Sequence, residues 1–237
     1  MTDLKVLPID FSSLMVGIIT VKTRGTLGAS FFLIRKLGKN SLKKHKTKFF
    51  FMAEETKFFV KFFRVIRNKK VAEYVPSGAT MLDIGCGSDY YLLREVSRKI
   101  RNGIGIDIAV RNRKENNITI RKAKISEKLL FKSGTFDVAT MIAFIEHLDK
   151  PEKMISEVRR VLKKGGIIII TTPMGRAKPF WELLVNLGLT EEKTTEDHKQ
   201  YFSPERIEGL LVKNGFDIDV SENFEFGMNY IAVGKKK

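Results

Sequence analysis

The sequence predicts an α/β fold, with a mainly parallel sheet, helices on both faces, an antiparallel last strand and an N-terminal helical segment. Three observations carry that expectation. From residue 80 onward, short apolar runs alternate with stretches of helical periodicity, as in a parallel sheet joined by right-handed crossovers. Residues 41–75 instead hold one helical pattern that ends before Pro76 and Gly78. Near the C-terminus, the apolar runs 216–220 and 228–233 are close enough to pair as an antiparallel hairpin.

The chain has 237 residues and is 43% hydrophobic, which suits one α/β domain with an added segment and a core that needs no covalent staples. Its single cysteine, Cys86, excludes an internal disulfide and disfavours a cysteine-based zinc site. The default compartment is then the cytoplasm. The net charge of +16 is uneven. Residues 1–75 hold 16 Lys/Arg against 5 Asp/Glu, whereas the remainder holds 27 against 22. Such an asymmetry suits an arm that touches an anionic membrane surface or nucleic acid, and equally a solvated basic surface. The early apolar stretches 14–20 and 27–34 are each too short to span a bilayer, and Asp3 and Asp10 argue against a secretory signal.

Taken in order, residues 1–40 show no periodic signal and read as a cap or a partly disordered arm. In 41–75, Phe58, Phe59, Phe62, Phe63 and Ile66 recur at helical spacing with Lys57, Lys61, Arg64 and Arg67 interleaved. This basic, Phe-rich helix suits docking on the sheet, then peripheral membrane contact through about 41–70, then RNA. Residues 80–84 form a strand, 90–101 a helix, 103–108 a second strand, 118–121 a weak third and 136–142 a fourth. Pro151 opens a helix with Ile155, Val158, Val161 and Leu162 on its apolar face, and Gly165-Gly166 is expected to stop it. The run 167–171 suits a strand buried on both faces. A helix over 204–213, capped by Ser203 and closed by Gly215, precedes the hairpin. The chain thus divides into a basic cap over 1–75 and a domain over 76–237, whose insert at about 173–198 forms a lid.

The most informative residues are Asp83-Ile84-Gly85-Cys86-Gly87, a strand running into Gly-x-Gly with a helix beyond. Glycines at this turn allow positive φ and close approach of a ligand, and the helix N-terminus favours an anionic group. Asp107 ends the next strand, 20 residues after Gly87, where a carboxylate can accept hydrogen bonds from two ribose hydroxyls. Together these describe a nucleoside site at the carboxyl ends of parallel strands. Nicotinamide and adenosylmethionine cofactors both satisfy it.

Asp83-x-Gly85-x-Gly87 resembles the first motif of class I S-adenosylmethionine-dependent methyltransferases. Phe136-Asp137-Val138, Ile145-Glu146-His147-Leu148, Pro151 and Leu162-Lys163-Lys164-Gly165-Gly166 are similar to later blocks of that family, closest to its ubiquinone-pathway O-methyltransferases. His198, Tyr201, Phe202 and Ser203 match a further habit of this branch, and the likeness covers about residues 71–234. The resemblance implies a Rossmann-like, seven-stranded sheet and S-adenosylmethionine as cofactor. It implies that Gly85 and Gly87 pass beneath the methionyl part, that Asp83 orders the polar end, and that Asp107 binds the ribose. Ile108 would pack on adenine and Ile142 would lie near the sulfonium. The chain departs from the pattern at Asp89, where glycine is common. It departs again at Ala123-Lys124-Ile125-Ser126, where an acid or amide usually meets adenine, so that Ser126 and backbone groups would serve instead.

Methyl transfer from a sulfonium needs alignment and exclusion of water, with a base only for a poorly ionised acceptor. His147 is the first candidate base and His198 the second, each with a loop-ordering role as its alternative. Glu146 and His147 also resemble part of a metal group proposed for ubiquinone-pathway relatives, but Ala143 stands where a further glutamate is expected, so no metal is predicted. The apolar insert, with Phe180, Trp181, Leu183 and Leu184, suits a lid or the pocket of a small-molecule or lipid-like acceptor. An RNA or protein methyltransferase and a non-catalytic S-adenosylmethionine binder are the competing functions, although no Asn-Pro-Pro-Tyr-like tetrapeptide follows the fourth strand.

Overall fold

The computed structural model describes residues 19–23, 26–30, 49–125, 128–177, 179 and 201–237. The chain divides into two compact units, Met1–Lys48 and Phe49–Lys237. In the first, β1 (Ile19–Thr23) pairs antiparallel with β2 (Thr26–Ser30). The strands are five residues each, too short for period-2 alternation to stand out in the sequence.

The second unit begins with α1 (Phe49–Tyr74). There follow β3 (Thr80–Ile84), α2 (Tyr91–Val96), β4 (Asn102–Asp107), β5 (Arg113–Glu115), β6 (Ile118–Lys122) and β7 (Phe136–Ile142). Then come α3 (Pro151–Val161), β8 (Leu162–Pro173), α4 (Pro204–Lys213), β9 (Phe216–Phe224) and β10 (Asn229–Lys236). The sheet order is β5-β6-β4-β3-β7-β8-β10-β9. Strands β6, β4, β3, β7 and β8 run parallel, while β10 is antiparallel to both β8 and β9. The expected Rossmann-like architecture is therefore present, with one strand more than the seven expected. The addition is β5, an antiparallel edge of three exposed residues that carry no apolar signal.

Side chains alternate across the central strands into two cores. Leu82, Ile84, Met141, Ile168 and Ile170 face α3 and α4 through Ile155, Val158, Ile207 and Leu211. Met81, Val138 and Ile169 face the other side, where Val71 and Val75 of α1 pack with Leu93 and Val96 of α2. Helices on both faces thus follow from the period-2 pleat of buried strands.

Several boundaries differ from the sequence reading. Helix α2 ends at Val96, where the Ser97 hydroxyl donates to the Arg94 carbonyl at 2.8 Å and competes with helical bonding, although Ile100 beyond it stays buried. Helix α3 ends at Val161, four residues before the glycine pair. Gly165 (φ +71°) and Gly166 lie instead within β8, where a Cβ on Gly166 would approach the Asp137 carbonyl oxygen at 3.1 Å. At α4 the Ser203 hydroxyl accepts from the Arg206 N–H at 3.3 Å, and Gly215 (φ +76°) follows the helix as expected.

Candidate active site

Strand β3 lies between β4 and β7, so its carboxyl end opens at the centre of the sheet. The chain leaves it through Gly85 (φ +74°) and Gly87 (φ +69°), both in the left-handed region that glycine adopts without strain. The two glycines serve different needs. A Cβ on Gly85 would fall 2.2 Å from Cδ2 of Phe144, whereas one on Gly87 would meet nothing within 4 Å. Gly85 is thus demanded by packing as well as by φ, and Gly87 by its φ alone. The Gly85 N–H donates to the Ile106 carbonyl at 2.9 Å, fixing the turn on β4.

Around this turn lies a cavity of about 230 Å³ walled by Asp83, Gly85, Gly87, Asp89, Ile142 and Ala143, with Arg64, Arg67 and Asn68 supplied by α1. The sequence reading has Arg64 and Arg67 on a helix that docks on the sheet beside the cofactor site, ahead of membrane or RNA contact, and does not single out Asn68. The spacing of the three, i, i+3 and i+4, puts them on one helix face, and that polar stripe was the available signal. The side chains of Lys57, Phe58, Phe59 and Lys61, which carried the membrane-interface reading, lie outside the described residues. Among the described residues, no helix is long and apolar enough to cross a membrane.

Charge of both signs meets in the cavity. Asp83 is 2% exposed and accepts a hydrogen bond from the Thr140 hydroxyl at 2.6 Å. Burial raises its carboxyl to about 7, with the Asp107 charge adding to the effect and the Thr140 bond opposing it. Elsewhere on the wall, Arg64 Nη1 bonds Asp89 Oδ2 at 2.9 Å, and the Arg64 guanidinium lies 5.6 Å from the Tyr91 ring centroid. Asp89, the residue that departs from the glycine of the family pattern, therefore orients an arginine at the cavity. The Nε atoms of both Arg64 and Arg67 are buried without a hydrogen-bond partner.

Asp107 ends β4 with Oδ2 accepting from the Gly87 N–H at 2.9 Å and Oδ1 accepting from the Ala109 N–H at 2.8 Å. Each oxygen keeps a second lone pair for another donor. Asp107 stands behind the glycine turn and is not among the cavity's walls. Ile108, next along the chain, is 61% exposed. Burial pushes the Cys86 thiol up, and the charges of Asp83 and Asp107 push it further, which disfavours its thiolate.

Beyond β7, Ala143 sits at φ +48°, held by bonds from its N–H to the Thr171 carbonyl and hydroxyl at 3.0 and 3.2 Å. The short helix Ile145–His147 follows. It buries Glu146 fully, with the Thr172 hydroxyl donating to Oε2 at 3.3 Å, and places His147 beside it, outside the cavity walls. Ser126 and His198 lie outside the described residues, as does most of the insert. Among the described residues, no three or more His, Cys, Asp or Glu side chains converge on a point that suits a metal ion.

Residues 59–220 match the model of a methyltransferase domain family. The ubiquinone biosynthesis O-methyltransferase of Psychrobacter arcticus is 22% identical over 163 residues, 63% of this chain and 63% of the relative's length. That of Nitrosococcus oceani is 25% identical over 186 residues, covering 68% and 78% respectively. The solved structure of an S-adenosylmethionine-dependent methyltransferase from Methanosarcina mazei shares the fold, with a TM-score of 0.53 at 22% identity over 70% of this chain and 96% of that one. The chain therefore belongs to the methyltransferase domain family, as a class I S-adenosylmethionine-dependent member that resembles the ubiquinone-pathway O-methyltransferases.

Proposed function

We propose that this chain transfers a methyl group from S-adenosylmethionine to a small-molecule or lipid-like acceptor. The supporting observation is the pairing of charges in the cavity at the end of β3. Asp83, Arg64 and Arg67 line the same cavity, and both guanidinium groups carry Nε–H donors without a hydrogen-bond partner. That is the complement of a zwitterionic amino-acid end, an ammonium beside a carboxylate. Asp107 adds free lone pairs for two ribose hydroxyls at the next strand end, and Gly87 leaves the approach open.

When bound, S-adenosylmethionine supplies an electrophilic methyl carbon whose bonding electrons remain on sulfur as the acceptor's oxygen or nitrogen attacks in line. The protein's share is alignment and dryness. Arg64 and Arg67 hold the carboxylate, Ile142 and Ala143 line the wall nearest the reacting centre, and Phe144 closes on the glycine turn. The acceptor's proton passes to a base, for which His147 beyond β7 and His198 in the insert are the candidates. Membership beside ubiquinone biosynthesis O-methyltransferases supports a small apolar acceptor. The direct test follows radiolabelled methyl from S-adenosylmethionine into lipid, RNA and soluble metabolite fractions. Label in lipid or metabolites is expected, and label confined to RNA would overturn the acceptor class.

A further inference from the structure

Arg64 reaches the cavity from α1, and the segment that leaves the glycine turn holds it in two ways. Its Nη1 donates to Asp89 Oδ2 at 2.9 Å, and its guanidinium lies 5.6 Å from the centroid of the Tyr91 ring, within range of a cation–π contact. Asp89 is itself steadied, since the Ser88 hydroxyl donates to its Oδ1 at 3.2 Å. Arg64, Ser88, Asp89 and Tyr91 all line the cavity.

The Arg64 and Asp89 side chains are 35% and 50% exposed, and an ion pair in such surroundings adds little to stability. Its geometry says more. A guanidinium meets a carboxylate well along the fork formed by Nε–H and one Nη2–H. Asp89 takes Nη1, which lies outside that fork, while Nε, inside it, is buried without a partner. The anchored atom and the unpaired donor therefore sit on different edges of one rigid plane. With Nη1 tied and the Tyr91 ring beside it, the plane has few ways to turn.

We infer that Asp89 is a positioning residue: by holding Nη1 of Arg64 beside Tyr91, it presents the Nε–Nη2 edge to the carboxylate of the cofactor's amino-acid end. This role rests on the cofactor reading above. An acid beside a site for an anion lowers affinity by its charge alone. Fixing the arginine before the ligand arrives raises affinity, because a side chain with so much rotamer freedom no longer has to be ordered on binding. Charge alone and positioning therefore predict opposite effects of neutralising Asp89.

The test compares two ligands by calorimetry on the full chain. S-adenosylhomocysteine carries the amino-acid carboxylate, and 5′-methylthioadenosine lacks it. Asp89→Asn is expected to weaken S-adenosylhomocysteine about fivefold, the scale of one misplaced charge-assisted hydrogen bond, and to leave 5′-methylthioadenosine within about twofold of the parent. Asp89→Glu, which keeps an anion within reach of Nη1, should fall between the parent and the asparagine variant. In an Arg64→Met background, Asp89→Asn should cause no further loss. Unchanged or tighter binding of S-adenosylhomocysteine by Asp89→Asn would overturn the role, leaving Asp89 as a charge only. Equal weakening of both ligands, or an undiminished loss without Arg64, would overturn it as well. If the parent and all variants bind 5′-methylthioadenosine and none binds S-adenosylhomocysteine, the carboxylate reading of the cavity fails first, and the role of Asp89 falls with it.

Discussion

Replacing Asp83 by asparagine removes an ionisable group from the middle of the sheet while keeping its size and an acceptor for the Thr140 hydroxyl. In the folded protein the Asp83 carboxyl sits at about 7, with burial as the main cause. In the unfolded chain an aspartate titrates near ~3.9. The folded state therefore holds the proton more tightly, and stability is lost as pH rises from about 4 to about 7. At ~1.36 kcal/mol per unit, the cost to the parent is about 0.5 kcal/mol at pH 4 and approaches about 4 kcal/mol at pH 8. Asparagine carries no such cost. Urea unfolding of parent and Asp83→Asn at both pH values should therefore give a stability gap, in favour of the variant, that opens from near zero to a few kcal/mol. Cofactor binding should move oppositely, because the ammonium of S-adenosylmethionine loses its carboxylate partner. A gap of the same size at pH 4 and pH 8, or a variant less stable at pH 8, would refute the claim that Asp83 is held against ionisation.

Other positions offer sharp checks. Gly85→Ala places a Cβ 2.2 Å from the Phe144 ring at a φ of +74°, and should cost about 2–3 kcal/mol in urea unfolding together with most cofactor affinity. Asp107→Ala should weaken S-adenosylmethionine by about tenfold to a hundredfold in calorimetry, and affinity equal to the parent's would sink the ribose assignment. With its thiol pushed up by burial, Cys86 should react with iodoacetamide at pH 8 far more slowly than an unfolded control, and equal rates would show that it is accessible.

The parallel sheet was legible because β3, β7 and β8 are apolar runs buried on both faces, a pattern that survives any arrangement of neighbours. So was the glycine turn, since a strand running into Gly85-Cys86-Gly87 and answered by Asp107 describes a local geometry complete within 25 residues. Strand β5 was not, because three exposed polar residues at an edge have no periodicity to detect. The ends of α2 and α3 were set by the Ser97 hydroxyl and by the direct entry of Leu162 into the sheet, both of which override helical propensity.

What the sequence determined alone was the fold and the glycine turn after β3, because each rests on residues near one another in the chain. Only tertiary structure decided what α1 does. Its basic residues are the same whether they face lipid, RNA or the protein, and docking turned Arg64, Arg67 and Asn68 to the cavity. Likewise, nothing local to Glu222 on β9 reveals that it pairs with Lys70 of α1 at 2.8 Å, 152 residues earlier in the chain. That pairing exists only because β10 inserts between β8 and β9 and so leaves β9 at the sheet edge.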